Sequence, residues 1–328
     1  MPKSVFLNSR MQSLLERGRA YLGPTASSQK ATADGFTTVK AETGLFPKVD
    51  AKVDGDECLH DCASCTIAYP KKFSIDEGDK LYGHVNGWDT HLIVGTGKTD
   101  WVRDVADEKG SVMRALDKYG LEYERSQGRG TAKLRLSASN MPTGSQGGDS
   151  DTDEGSNCLL LPSWQLIEHV RPGEVAELMR EVVEPSVTNK TPLQRQGSKA
   201  SPTDDTTEAE ADLSALTLTA SNGNNNNTPL LRSEFERHLR PLGLYRDLHD
   251  ERPGGVGIYF INHVGGHKTS QAEDGQEYAE AAQGIWLARV RPADCENIVR
   301  YTVLQGKVVK PESQLRGGFD RERALLSW

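Results

Sequence analysis

Two histidines four residues apart are the residues of this chain whose type and spacing best suit metal chemistry. His263 and His267 stand in the run His-Val-Gly-Gly-His-Lys, directly after the apolar stretch 257–261. Imidazole is the commonest neutral metal ligand, and it also binds iron in iron–sulfur centres. Because glycine has no Cβ, Gly265 and Gly266 allow a turn that directs both rings to one point. The motif predicts a metal site in a loop after a strand; the alternative is an ordinary turn with two solvated histidines.

Three cysteines close together in the sequence form a second candidate site. Cys58, Cys62 and Cys65 follow the pattern C-x3-C-x2-C. Thiolates spaced in this way can hold zinc or an iron–sulfur cluster when another region supplies a further ligand. Free thiols are the alternative. The spacing also equals that of the radical-SAM cluster loop, although Ser64 stands where an aromatic residue is usual there.

Composition excludes several classes of protein. The chain has 328 residues, a net charge of -8 and a pI of about 5.6, which argues against a nucleic-acid partner because phosphate binding needs a basic surface. No apolar run is long enough to span a membrane. Five cysteines are few and odd in number for a disulfide scaffold, so a reducing compartment is expected. We expect a cytoplasmic location, with the nucleus or the mitochondrion as alternatives, since the Arg-bearing, acid-poor start of the chain is typical of a presequence.

The distribution of polar residues predicts an α/β protein with two ordered regions and long disordered linkers. Residues 186–229 are rich in Ser, Thr, Asp and Asn and have almost no aromatic side chains, which indicates disorder. The predicted organisation is an N-terminal helix and flexible segment over 1–50, an N-terminal cysteine-bearing α/β domain over 51–185, the disordered linker over 186–229 and a C-terminal domain over 230–328.

Short apolar runs and helical periodicity place the main elements. Strands are predicted over 91–95, 134–139, 158–161, 257–261 and 285–290, and helices over 172–183, 230–239 and 292–304. Cys158 precedes an apolar triplet and Cys295 lies in the first turn of a helix, so both are expected to be buried. The arginine-rich segment 315–323 is expected to be a solvated tail, or else a contact for an anion or an acidic partner.

Several of these segments together resemble the fungal sucrase/ferredoxin-like family. HVGGHK is a specific motif of that family, and the likeness covers most of the chain outside the predicted linkers. The other segments that carry it include residues 61–65, 69–70, 81–83, 96–101, 161–164, 284–290 and 306–319. The resemblance implies a C-terminal thioredoxin-like ferredoxin domain, incomplete in this chain, and an N-terminal sucrase/ferredoxin-like region.

The resemblance also implies a cofactor and a function. Family members hold a [2Fe–2S] cluster with two cysteines and two histidines, and His263 and His267 fall on the histidine positions. One-electron transfer with an unidentified donor or acceptor protein would follow, and redox homeostasis and actin-patch organisation are the implied cellular roles. Sucrase activity is not expected, because no pair of carboxylates can be assigned to glycoside hydrolysis.

The chain departs from the family where the cysteine ligands should be. Family members carry both cysteines just before the helix that begins here near Thr228, whereas residues 219–227 of this chain contain none. Residues 269–283 also replace the strand that follows the motif in the family. The cluster is therefore absent from this chain or is completed by Cys58, Cys62 and Cys65. A protein without the cluster, or one that binds zinc and interacts with partners, is the alternative function.

Overall fold

The strands of this chain are mostly short, and the longest contains the histidine motif. The computed structural model describes residues 35–69, 75, 77–85, 87–102, 104–127, 132–143, 155–193, 216–219, 228–250, 252, 255–269 and 280–328. Within these ranges the strands are β1 (Thr37–Thr38), β2 (Thr90–Gly95), β3 (Ala132–Ser139), β4 (Ser156–Leu161), β5 (Gln165–Val170), β6 (Leu216–Thr219), β7 (Tyr245–Arg246), β8 (Val256–Thr269), β9 (Gln283–Leu287), β10 (Leu315–Asp320) and β11 (Leu325–Leu326).

The helices lie between these strands and are short except for two. The α-helices are α1 (Glu42–Leu45), α2 (Ala51–Asp54), α3 (Val112–Gln127), α4 (Val175–Leu178), α5 (Thr228–Leu239), α6 (Cys295–Asn297) and α7 (Pro311–Gln314). Single turns of 3-10 helix or π-helix extend several of them: Asp56–Leu59, Val105–Asp107, Pro172–Glu174, Met179–Val183, Arg240–Leu242, Pro292–Asp294 and Ile298–Val303. Among the described residues, no helix is both long enough and apolar enough to cross a bilayer.

The larger sheet unites strands from both halves of the chain. Its order is β5-β4-β2-β3-β8-β6, and β7 also pairs with β8. The strands β2 and β3 are parallel, as expected for strands joined through a helix, here α3, while β8 runs antiparallel to β3. The predicted regions 51–185 and 230–328 therefore share one sheet, and the domain boundaries themselves stay a prediction.

A second sheet of four short strands packs near the first one. It has the order β1-β11-β10-β9 and combines residues close to the two ends of the described chain. Trp88, just before β2, contacts Phe319 of β10 edge to face at 5.7 Å and Trp328 at 5.8 Å. These aromatic contacts join the two sheets, because large rings bury much apolar area and favour edge-to-face geometry.

The larger sheet buries one face under helices, and this face forms the main apolar core. Leu92, Leu134, Leu136 and Leu160 point into it from three strands and are almost fully buried. Helix α3 and the helical turns 172–183 cover them. The alternation along β3 explains this pattern, since successive residues of a strand face opposite sides. A second cluster joins α5, the start of β8 and α6.

Most of the predicted elements are present, and the overall class is the expected mixed α/β. The predicted strands at 91–95, 134–139 and 158–161 match β2, β3 and β4, and the helices predicted at 230–239 and 292–304 are found with ends shifted by a few residues. Cys158 and Cys295 are fully buried, as predicted.

Other expectations differ from the structure or lie outside the described residues. Parts of the predicted linker take part in the fold, because residues 216–219 form β6 and Asn189 is buried and donates its backbone N–H to the Asp89 carbonyl at 2.9 Å. The expected solvated tail 315–323 is instead the buried strand β10 and the turn after it. The predicted N-terminal helix falls on residues 1–34, which are outside the described ranges.

Candidate metal centre

The histidine motif lies within a strand, which corrects the predicted glycine loop. β8 continues without a break from Val256 to Thr269 and includes both histidine positions. The glycine pair accommodates a β-bulge instead of a turn: Val264 pairs with Leu136 and Gly266 with Arg135, so Gly265 is the extra residue on β8. Glycine is common at bulges because it tolerates the local backbone distortion.

The bulge changes which neighbours the two histidine positions have. Position 263 is paired with Ser137, and position 267 is paired with Leu134. Leu134 lies in the main core, whereas Ser137 hydrogen-bonds His91 at 2.9 Å on the other face of the sheet. The two positions thus have cross-strand neighbours on opposite faces. Convergence of His263 and His267 on one ion stays a prediction.

The five cysteines do not fit a ligand set with this motif. Cys158 on β4 is separated from position 262 of β8 by three strand spacings, about 14 Å. Cys295 packs against Val256 and Ile258 at the start of β8, about 17 Å of extended strand before position 263. The three N-terminal cysteines lie on the helical layer described next. The residues present therefore do not fit the two-cysteine, two-histidine [2Fe–2S] set that the family resemblance implies.

The N-terminal cysteine loop instead docks on the helices of the C-terminal region. The Cys62 backbone N–H donates to the Ala293 carbonyl at 2.9 Å, and the Asn297 side chain donates to the His60 carbonyl at 2.8 Å. Lys310 forms an ion pair with Asp61 at 2.6 Å. These contacts hold the loop 58–65 against α6 and the turn before it, and Arg237 of α5 donates to Ser64 Oγ at 3.2 Å. The N-terminal and C-terminal regions therefore meet at this loop.

Three metal-ligating side chains converge at this junction. The ligand atoms of Cys62, His238 and Glu296 all lie within 4.8 Å of one another, and Cys62 Sγ is 3.9 Å from His238 Nε2. Ligands of a tetrahedral zinc ion lie about 3.3–3.8 Å apart, as bond lengths of about 2.0–2.3 Å require. Small side-chain adjustments would bring the three atoms to a common ion.

A cationic nitrogen already lies where these acceptors meet. Arg237 Nη2 is 3.4 Å from Cys62 Sγ and 3.0 Å from His238 Nε2, and it also forms an ion pair with Glu234 Oε1. Glu234 is fully buried, and its other oxygen, Oε2, has no hydrogen-bond partner. These groups therefore already surround one positive charge, and an incoming cation would have to displace the Arg237 side chain, which is 36% exposed.

The local electrostatics keep the candidate ligands in forms that bind a cation. Burial, followed by the neighbouring Arg237 charge, lowers the pKa of His238 below its ordinary value and favours the neutral imidazole. A hydrogen bond from Cys62 lowers the pKa of Glu296, which favours the carboxylate. The thiol of Cys65, which is not one of the three converging ligands, differs from them: burial raises its pKa, the Glu234 carboxylate acts in the same direction, and both favour the protonated form.

Of the other two predicted cysteine ligands, Cys58 lies apart from this centre. Cys58 is 1% exposed and packs in a small cluster with Val49 and Tyr301. It sits on the 3-10 turn Asp56–Leu59 after α2, whereas the radical-SAM interpretation requires a loop at the end of a barrel strand. The helical segment before the cysteines therefore argues against that interpretation.

We expect thiol-specific alkylation at pH 8 to separate the five cysteines by rate. Cys62 and Cys65 are partly exposed and should react first, while Cys158 is fully buried with its pKa raised to about 12, so about one molecule in ten thousand carries its thiolate. Mass spectrometry of the alkylated peptides over time measures this. Equal rates in guanidinium are the control; labelling of Cys158 as fast as Cys62 in the folded protein would contradict the packing.

Sequence reasoning missed two residues of the centre. His238 lies near the end of α5 and is separated from Cys62 by 176 positions, and Glu296 lies in α6. Glu234 and His238 are spaced four apart on one helix face, but this is also the spacing of an ordinary surface ion pair. The spacing of Glu234 and His238 alone therefore does not distinguish a metal-ligand helix from a helix with a surface ion pair.

This chain is similar to one protein family and to two fungal proteins. The family model described as sucrase/ferredoxin-like matches residues 81–317. Actin patches distal protein 1 of Saccharomyces cerevisiae is 26% identical over 284 residues, which cover 80% of this chain and 85% of that protein. Altered inheritance of mitochondria protein 32 of Clavispora lusitaniae is 32% identical over 82 residues, 25% of this chain and 26% of that protein. No solved structure gives a significant match.

Proposed function

Because the chain belongs to the sucrase/ferredoxin-like family, we propose that it is a non-enzymatic metal-binding protein whose ion is held between the cysteine loop and the helices α5 and α6. The observation that supports this is the convergence of Cys62, His238 and Glu296 within 4.8 Å. A thiolate, an imidazole and a carboxylate are ligands that zinc accepts together. Zinc does not change its oxidation state, so this function involves no electron donor or acceptor.

The ion would act first as a structural link. Its ligands come from the loop 58–65, from α5 and from α6, which are far apart in the sequence. A metal that joins such segments contributes its binding free energy to folding, because the unfolded chain does not present the ligands together. The proposed role is therefore to hold an interaction surface, made by the loop and two helices, in one conformation.

Electron transfer is the second candidate function. The HVGGHK motif and the ferredoxin-like family match favour it, since paired histidines suit iron–sulfur iron and make the reduction potential depend on pH. Such a cluster would supply one-electron chemistry to an unidentified donor or acceptor protein. A second chain would have to supply its cysteine ligands, because all five cysteines of this chain lie away from the motif.

The cellular role follows from the relatives by analogy alone. One similar protein is named for actin patches and the other for the inheritance of mitochondria. We propose a cytoplasmic protein that contributes to actin-patch organisation or redox homeostasis, with a mitochondrial location as the alternative. Sucrase activity is not part of the proposal.

Elemental analysis of the protein as purified without added metal tests both candidates. About one zinc per chain, with no visible absorbance, is the expected result. Iron and acid-labile sulfide in equal amounts, with visible absorbance and a rhombic signal in electron paramagnetic resonance after reduction, would instead establish the electron-transfer function. A protein free of both metals that also fails to take up zinc from a chelating buffer would contradict the first proposal and the second.

A further inference from the structure

Two of the loop cysteines are arranged as a possible disulfide pair. Cys62 and Cys65 are separated by Ala63 and Ser64, and these two residues form a turn. The first and fourth residues of a turn have Cα atoms less than about 7 Å apart, and disulfides join Cα atoms about 4.4–6.8 Å apart. The backbone thus already provides the separation that a Cys62–Cys65 bond requires. Both cysteines are free thiols in this structure.

The surroundings of the two sulfurs differ in the way that thiol exchange needs. Cys62 Sγ accepts a hydrogen bond from Arg237 Nη2 at 3.4 Å and lies 3.4 Å from Ser64 Oγ, so a guanidinium faces this sulfur directly. Cys65 Sγ instead donates to the Ile67 carbonyl at 3.1 Å. A neighbouring guanidinium raises the reactivity of a cysteine sulfur, whereas the contact of Cys65 Sγ is with a neutral backbone carbonyl. Cys62 is therefore the attacking sulfur and Cys65 the resolving one.

The remaining cysteines cannot compete for this pairing. Cys58, Cys158 and Cys295 are each no more than 1% exposed. Cys158 lies on β4 in the main core, and Cys295 donates to the Arg291 carbonyl at 3.7 Å. An incoming disulfide therefore meets Cys62 and Cys65 as the accessible thiols.

We propose that Cys62 and Cys65 form a dithiol/disulfide couple that reduces small or protein-borne disulfides by exchange. This activity goes beyond metal binding and does not require an ion, although it uses one of the same sulfurs. The sequence Cys-Ala-Ser-Cys has the C-x-x-C spacing in which such couples occur.

The exchange proceeds in two steps that conserve atoms and electrons. Cys62 releases its proton to solvent, and its sulfur attacks one sulfur of the substrate disulfide; a mixed disulfide forms and the first substrate thiolate leaves and takes up a proton. Cys65 then loses its proton and attacks the Cys62 sulfur, which forms the Cys62–Cys65 bond and releases the second substrate thiol. Two electrons pass from the protein dithiol to the substrate, and a thiol in excess reverses the reaction.

The test uses the full chain after treatment with a chelator, so that metal binding does not enter the result. The protein is incubated with oxidised glutathione, quenched with acid and alkylated. Trypsin releases residues 53–71 as one peptide that contains Cys58, Cys62 and Cys65, and fragmentation assigns the state of each. The expected product has Cys62 bonded to Cys65 and Cys58 alkylated.

Variants separate the two steps. Cys65→Ser is expected to stop at glutathione bound to Cys62, and Cys62→Ser to give neither this adduct nor the disulfide. Cys58→Ser, which removes the third cysteine of the same peptide, is the matched control and should still form the bond. If the unaltered protein keeps both cysteines alkylated at a large excess of oxidised glutathione, or pairs Cys58 instead, the couple does not exist. Zinc content, measured on separate samples, reports on the proposed function independently.

Discussion

Replacing Cys62 by serine, or His238 by alanine, is expected to abolish stoichiometric metal binding. Each change removes one of the three atoms that lie within 4.8 Å of one another. Losses of outer-shell partners cost about 10–100-fold in metal affinity, so the loss of a direct ligand should cost more than that. Isothermal titration of the chelator-treated variants with zinc, in a buffer that competes for the metal, measures the difference in dissociation constant.

Variants of the histidine motif provide the decisive comparison. His263→Ala and His267→Ala change residues of β8, and the register places both positions away from the start of that strand, where Cys295 packs. They should leave zinc affinity unchanged within about twofold. His249→Ala, an exposed histidine after β7, is the control for nonspecific binding. Should the motif variants lose the metal while the Cys62 and His238 variants retain it, the proposed centre is wrong and the ligands lie in HVGGHK.

Replacing Arg321 by alanine is expected to lower the free energy of unfolding by about 3 kcal/mol. Its side chain is fully buried and forms an ion pair with Glu280. It also donates to the backbone carbonyls of Thr191 at 2.7 Å and Ala281 at 3.2 Å. Removal of the guanidinium would leave these acceptors without their donor and open a cavity, and both effects favour the unfolded chain.

Urea unfolding followed by circular dichroism measures this loss. Arg180→Ala is the matched control, because Arg180 is exposed and pairs with the exposed Glu181, and exposed ion pairs contribute little to stability. Arg321→Lys keeps the charge but lacks the planar fork and should recover little of the stability. An Arg321→Ala variant as stable as the Arg180→Ala control would show that the buried arginine does not hold the turn after β10 against the segment around Thr191.

Local patterns were enough to predict elements that bury an apolar face. The apolar run 91–95 predicts a strand, and β2 is indeed buried along its whole length. Leu231, Phe235 and Leu239 have helical spacing and predict α5. These features depend on neighbouring residues alone, so the sequence contains the information directly. Elements of this kind were found with only small shifts at their ends.

The remaining features depend on partners that are distant in the sequence. A glycine pair after a strand is compatible with a turn or with a bulge. The pairing of β8 with β3 continues past Gly265 and Gly266, so the glycines form a bulge. The strands β1 and β11 have two residues each and show no periodicity. Arg321 reads as a surface residue because arginine rarely lies in a core, and its acceptors come from 130 and 40 positions away. For the same reason the sequence did not indicate the candidate ligand group Cys62, His238 and Glu296, whose members are far apart in the chain.

The antiparallel pairing of β3 with β8 has a consequence for synthesis of the protein. Residues 132–139 leave the ribosome about 120 residues before their partners at 261–269, a delay of roughly 6–25 s at common translation rates. During that interval the backbone N–H and C=O groups on one edge of β3 are unpaired, and such an edge can pair with strands of other chains. A fragment ending before residue 261 is therefore expected to aggregate instead of folding as an independent half.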